Sequence, residues 1–247
     1  MPLRAAISTP EGKRRYVRRL FATIAHRYDF ITGALSYGQD RRWKRLLIRL
    51  ADVAPGDHVL DLACGTGDLA FASSAAAGRA VGLDVTLEML RLAKGKTAPP
   101  GAHLSWVAGD MVALPFPDAR FTVVTTGYGL RNVPDLAAAI SEICRVLAPG
   151  GRMLSLDFNR PEHPLLRRAY LTYLAVVGSV LGTVLHRDPD TYRYIPESIR
   201  QYPGAGRVAR MLEGAGFVDV QVMPLLGGLM AIHIARVPYA AARRHDP

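Results

Sequence analysis

From residue 56 onward, short apolar runs alternate with helical patterns, and that alternation restricts the chain to few folds. The runs are HVLDLA (58–63), RAVGLDV (79–85), LSWVAGD (104–110), FTVVTTGY (121–128) and GRMLSLDF (151–158). Helical stretches are predicted at about 67–77, 86–96 and 134–148. The last of these puts Leu136, Ile140, Ile143, Cys144 and Leu147 on one face and stops at APGG. Strand and helix in alternation give an α/β, mostly parallel sheet with helices on both faces. A helix near 205–215 then precedes two strands, 219–225 and 228–237. The short LLGG turn between them predicts an antiparallel hairpin at the sheet edge.

The first run ends in DLACGTGDLA, residues 61–70. In open parallel sheets ligands bind beyond the carboxyl ends of the strands. Gly65 and Gly67 tolerate positive φ and let backbone N–H groups approach a ligand. Asp84 ends the second strand, where a carboxylate can accept both hydroxyl hydrogens of a ribose. Asp110 ends the third and can accept from an adenine amine. One nucleoside could therefore run across three strand ends. A dinucleotide is the rival, and because Ala70 is an accepted variant of its third glycine, the glycines do not decide. Charge does. Asp61 and Asp68 would repel a pyrophosphate and attract the sulfonium and amino group of S-adenosylmethionine.

The remaining segments add partners. Residues 1–50 hold 12 Lys/Arg against 3 Asp/Glu, whereas the rest holds 19 against 18. Helical faces at 14–26 (Val17, Leu20, Phe21, Ile24) and 41–50 (Trp43, Leu46, Leu47, Leu50) leave Arg14, Arg15, Arg18, Arg19, Arg41, Arg42, Arg45 and Arg49 largely off the apolar side. Such a segment suits an anionic membrane surface or nucleic acid, or is simply a solvated face. Between the two helices, Gly33 and Gly38 predict a loop or broken helix. Residues 169–185 carry no charge, and their glycines and hydroxyls favour a buried or lid-like helical hairpin over a membrane span. Two cysteines, Cys64 and Cys144, read as reduced thiols of a cytosolic protein. The N-terminus lacks the apolar segment of a signal peptide, and no metal-ligand spacing is found. The organisation expected is one domain: a basic N-terminal lid (1–52), a cofactor-binding half (53–160), an apolar insertion (161–204) and a C-terminal helix with a strand hairpin (205–237).

Seven motifs then occur in order: VLDLACGTGDLA, GLDVTLEML, ALPFPDARF, GYGLRNVPD, EICRVLAPGGRMLSLDFNRP, DTYRYIPESIR and MLEGAGF. Together they resemble the ubiquinone/menaquinone-biosynthesis C-methyltransferase family over about residues 16–235. The resemblance implies a class I methyltransferase, Rossmann-like fold: seven strands with the last antiparallel, a helical lid, and a helical insertion after the fifth strand. It implies methylation of a ring carbon of a polyprenylated hydroquinone, demethylmenaquinol or the ubiquinol precursor, in quinone biosynthesis. Family cofactor positions fall on Thr66, Asp84, Asp110 and Met111, and GLDVTLEML adds Val85 and Met89. Gly127 stands where the family usually has serine, and Cys64 where glycine is common. AIHIARV departs from the family's more basic ending. These departures leave a soluble aromatic natural product open as acceptor, and a non-catalytic S-adenosylmethionine-binding protein is a second alternative. A nucleic-acid methyltransferase would need an Asn-Pro-Pro-Tyr-like amine pocket or an aromatic-interleaved basic groove, and the sequence has neither; no nucleic-acid partner is expected.

Carbon methylation needs an ionised ring hydroxyl, a positioned methyl donor and a dry site. Arg131 and Asn132 follow the fourth strand. The Arg131 guanidinium either stabilises a phenolate or pairs with a carboxylate and shapes the loop. Tyr192 and Tyr194 are candidates to line the ring pocket or to pack. Glu197 would hold Arg131 or Arg193. His186 and Asp188 are candidate bases, and Tyr28, Asp29 and Tyr37 belong to a closing lid. The apolar stretch would shelter the isoprenoid while the basic helices rest on anionic lipid. A homo-oligomer is left open.

Overall fold

The computed structural model describes residues 3–36 and 38–239, so Tyr37 lies outside the described residues. Its strands are β1 (Val59–Leu62), β2 (Arg79–Asp84), β3 (His103–Ala108), β4 (Phe121–Gly127), β5 (Leu147–Phe158), β6 (Val218–Leu225) and β7 (Met230–Arg236). Its helices are α1 (Leu3–Ala6), α2 (Pro10–Ile24), α3 (Tyr28–Leu35), α4 (Asp40–Ala51), α5 (Asp68–Ala77), α6 (Leu87–Lys94), α7 (Leu136–Val146), α8 (Pro164–His186), α9 (Tyr194–Gln201) and α10 (Ala205–Gly214). The strands form one sheet in the order β3-β2-β1-β4-β5-β7-β6. β1 to β5 pair in parallel, and β7 runs antiparallel to both its neighbours. This is the expected class I methyltransferase arrangement, with its last strand antiparallel.

Successive strand residues point to opposite faces, so runs apolar throughout must be covered on both sides. Leu60, Leu62, Val124 and Met153 pack with Ile140 and Ile143 of α7 and Val208 and Leu212 of α10. Their neighbours Val59, Val123 and Leu154 face the other way, onto Trp43 and Leu47 of α4 and Leu69 of α5. The carboxyl ends of β1, β2 and β4 therefore meet at one edge, beneath the N-terminal helices.

The C-terminal hairpin forms at the sheet edge as expected, with β6 outermost and β7 between β5 and β6; two other expectations, the hairpin at 169–185 and the break at Gly33, are corrected. MAIHIA is apolar on both faces and is buried, whereas VDVQV alternates with polar residues and stays largely exposed. Residues 169–185 make no hairpin but belong to the single 23-residue helix α8. Its glycines are points of close approach rather than turns: a Cβ on Gly182 would stand 2.4 Å from the Asp188 carbonyl oxygen, and one on Gly178 3.2 Å from the Tyr192 Cβ. Gly33 lies inside α3, and the chain breaks instead at a short 3-10 turn, Ala25–Arg27, and at Gly38, where φ is +73°. α7 stops before APGG as expected, and the chain passes directly into β5, which begins at Leu147.

Candidate active site

The turn after β1 takes three left-handed residues, Ala63 (φ +48°), Gly65 (+55°) and Gly67 (+91°). A Cβ on Gly67 would lie 2.6 Å from the Trp106 ring, so that position excludes any side chain. Asp84 ties the turn down: its Oδ2 accepts from the Gly65 N–H and its Oδ1 from the Thr86 N–H, both at 2.8 Å. Gly65, Asp84, Val85, Met89, Asp110, Met111 and Gly127 line one narrow cleft of about 80 Å³ across the strand ends. Asp61 and Thr66 flank a smaller pocket beside it, shared with Gly65 and Gly127. Gly67 lines neither; it shapes the turn as the residue before α5. At Gly127 a Cβ would press on the Leu69 side chain at 3.2 Å, so Leu69 fills the space a serine would need.

The charges are more balanced than the sequence suggests. Asp68 is matched by Lys44 (2.9 Å) and Lys96 (3.3 Å). Burial opposes its ionisation, yet these two lysines hold Asp68 below the usual carboxylate range. Asp110 receives the Arg14 guanidinium at 2.8 Å, and the Thr66 hydroxyl donates to Asp29 Oδ1 at 2.6 Å. Asp61 is different. It is buried, its Oδ1 accepts from Thr125, and its Oδ2 has no hydrogen-bond partner among the described residues. Burial pushes its pKa up to about 7.

Behind the cleft lies an apolar cavity of about 350 Å³, walled by α2, α3, α8 and the segment leading into α9. Phe21, Tyr28 and Tyr128 line both spaces. The three catalytic candidates divide between them. Asn132 lines the cleft, while Arg131 and Tyr192 line the cavity. Asp157 Oδ1 lies 3.0 Å from Arg131 Nε, and its Oδ2 accepts from the Arg131 backbone N–H. Arg131 Nη1 donates to Ser198 and to Asn132 Oδ1, and the guanidinium lies 4.8 Å over the Phe158 ring. Arg131 is thus a cation held by a carboxylate at the cavity wall. Tyr192 shares a 2.8 Å hydrogen bond with His186 Nε2. Tyr194 reaches the same cavity from a cluster with Ile7 and Val17. Glu197 pairs with Arg200, not with Arg131 or Arg193, because Asp157 and Asp190 hold those two. Asp188 accepts from Thr191.

Sequence reasoning missed Asp157, Asp40 and Tyr128. Asp157 could have been found, since it closes β5 as Asp84 closes β2. Tyr128, at φ +62°, donates to the buried Asp40, whose other oxygen meets Lys44 at 2.7 Å. No local pattern joins residues so far apart in the chain.

The ubiE/COQ5 methyltransferase family matches residues 9–236. The chain belongs to the ubiE/COQ5 methyltransferase family. It is 38% identical over 229 residues to the ubiquinone/menaquinone biosynthesis C-methyltransferase UbiE of Francisella philomiragia, covering 91% of this chain and 92% of that one. It is also 38% identical to the protein of the same name from Shewanella halifaxensis, with 90% and 91% covered. A SAM-dependent methyltransferase structure from Aquifex aeolicus shares the fold, with a TM-score of 0.56 at 17% identity over 78% of this chain and 89% of that one.

As a member of this family, the protein is an S-adenosylmethionine-dependent methyltransferase, and its cleft fits that cofactor. The orphaned Asp61 Oδ2 suits an ammonium group, and the glycine turn leaves room for a close approach of the amino-acid end. Asp84 has lone pairs left for ribose hydroxyls, and the buried Met89 and Met111 add apolar surface to the cleft. When bound, the cofactor supplies a methyl group on a cationic sulfur.

Proposed function

We propose that the protein methylates a ring carbon of a polyprenylated hydroquinone, demethylmenaquinol or the ubiquinol precursor. The observation that carries this reading is the wall of Phe21, Tyr28 and Tyr128 shared by the cofactor cleft and the apolar cavity. An acceptor ring at that wall has its isoprenoid tail among apolar side chains of α2, α3 and α8. The named relatives support the substrate class. The free thiols of Cys64 and Cys144 suit a cytoplasmic enzyme.

On this reading, Tyr128 accepts the acceptor's hydroxyl proton as it passes its own to Asp40 along their existing hydrogen bond. Arg131, at the cavity wall, stabilises the phenolate that results. Phe21 and Tyr28 exclude water from the junction. Loss of the proton from the methylated carbon and return of one to the oxygen restore the hydroquinone.

The test is incubation of the purified protein with methyl-labelled S-adenosylmethionine and a short-tail demethylmenaquinol or ubiquinol precursor, followed by mass spectrometry of the ring. Label on a ring carbon is expected. Label only on a tail-less soluble phenol would replace this reading with the natural-product one.

A further inference from the structure

Among the described residues one helix, α8, is long and apolar enough to cross a membrane by length and composition, yet only 22% of its apolar window is buried. Its two faces do different things. Leu171, Leu174, Gly178 and Gly182 are buried, three to four residues apart. Leu171 and Leu174 pack with Ile199 of α9, and the two glycines meet the Asp188–Tyr192 segment. The opposite face carries Leu165, Ala169, Tyr173, Val176, Val180 and Val184, spaced by four, four, three, four and four residues, and all of it is exposed. Val176, Val180 and Val184 are 59%, 57% and 72% exposed. At 1.5 Å per residue the stripe is roughly 28 Å long. So long an exposed apolar strip marks a binding surface.

We propose that this stripe is a membrane-docking surface that lays α8 flat in the interface of an anionic bilayer. The proposal rests on the lipophilic-acceptor reading above. Three features identify the occupant. First, a spanning orientation is excluded by packing, because the inner face of α8 is committed to the protein from Leu171 to Gly182; only one side is left for lipid there, as in an interfacial helix. Second, the stripe is continuous with the mouth of the apolar cavity: Ala169 and Tyr173 belong to both, and Leu166 and Leu226, exposed beside them, also line it. A second copy seated there would cover that mouth, whereas a bilayer would feed it. Third, cations stand at both ends, Arg167 and Arg168 at one and Arg187 and Arg27 at the other, with no charge between. Of the nearby acids, Asp190 is engaged by Arg193 and Asp188 by Thr191, while Glu162, exposed just before α8, is outnumbered by Arg167 and Arg168. Basic side chains at the ends of an apolar face match anionic headgroups. This contact adds α8 to the arginine-rich α2 and α4, for which the sequence also allows an anionic membrane surface.

The test uses the full-length protein and flotation with phosphatidylethanolamine/phosphatidylglycerol vesicles. Val176, Val180 and Val184 line no part of the cavity, so the triple variant Val176→Ser/Val180→Ser/Val184→Ser keeps the site intact. We expect the wild type to float and the triple variant to lose at least tenfold in vesicle partitioning, with unchanged melting temperature and unchanged methylation of a short-tail acceptor. Equal flotation of the two proteins overturns the proposal. So does a wild-type dimer that ignores vesicles and that the triple variant converts to monomer, since the stripe is then a subunit interface. If the wild type floats, the variant does not, and neither methylates the short-tail acceptor, docking stands and the acceptor reading falls.

Discussion

The Tyr128 hydroxyl donates a 2.7 Å hydrogen bond to Asp40 Oδ1, joining the turn after β4 to the first turn of α4. Tyr128 also lines both the cofactor cleft and the apolar cavity, the two spaces proposed for donor and acceptor. Tyr128→Phe keeps the ring and removes only the hydroxyl. Turnover should fall by about 10²-fold or more, while calorimetric affinity for S-adenosylhomocysteine stays the same. Wild-type turnover in this variant would remove Tyr128 from the proton path.

Breaking the Arg131–Asp157 pair carries a folding cost as well as a catalytic one. Arg131→Ala leaves a buried carboxylate without its cation, a loss of about 3–5 kcal/mol. Combining it with Asp157→Asn should restore much of the stability, read by denaturant melts, but not the turnover. If the double variant recovers activity too, Arg131 only balances Asp157.

Asp61 links pH to both stability and binding. Its pKa in the folded protein, pushed up to about 7 by burial, lies above its unfolded value. Its contribution is thus complete in acid and is lost as pH rises towards 7, an effect on the order of a few kcal/mol. Cofactor affinity should run the other way, growing as pH rises through 7 and the carboxylate gains charge for the ammonium. Asp61→Asn should flatten both profiles in melts and calorimetry at stepped pH. A steep binding profile that survives the substitution would place the ammonium elsewhere.

Arg14 occupies the Asp110 carboxylate that the proposed cofactor placement assigns to the nucleoside. The pair is partly exposed, so it adds at most about 1 kcal/mol to stability. Arg14→Gln should leave the melting temperature nearly unchanged and tighten S-adenosylhomocysteine binding by up to about fivefold. Weaker binding would mean instead that Arg14 closes over the bound nucleoside.

Two glycines should respond oppositely to alanine. Gly33 lies within α3 with open space around its Cβ position, so Gly33→Ala should stabilise by about 0.5–1 kcal/mol. Gly182→Ala drives a methyl into the Asp188 carbonyl and should destabilise by about 1–3 kcal/mol, displacing Tyr192. Thermal melts decide both; a neutral Gly182→Ala would show that the 188–192 segment yields easily.

The cofactor cleft was largely legible in the sequence because its parts are local. Gly65, Asp84 and Asp110 each sit at the end of an apolar run, and once the runs form parallel strands their ends must lie side by side. The acceptor side was not legible in this way. Arg131 and Asn132 were found, but the carboxylate that holds Arg131 lies 26 residues away in β5. The neutralisation of Asp68 needs Lys44 from α4 and Lys96 from the bend after α6. The glycines of 169–185 were misread because a glycine looks the same whether it turns the chain or admits a neighbour.

The sequence by itself determined the α/β class, the strand-end cleft and several of the strand-end residues that line it, since hydrophobic period and turn chemistry act over a few residues. Only the tertiary structure decided which charges stay unmatched, which aromatic side chains line both the cleft and the cavity, and which face of α8 is left bare. Those outcomes depend on burial and on contacts between segments far apart in the chain, and no local pattern encodes them.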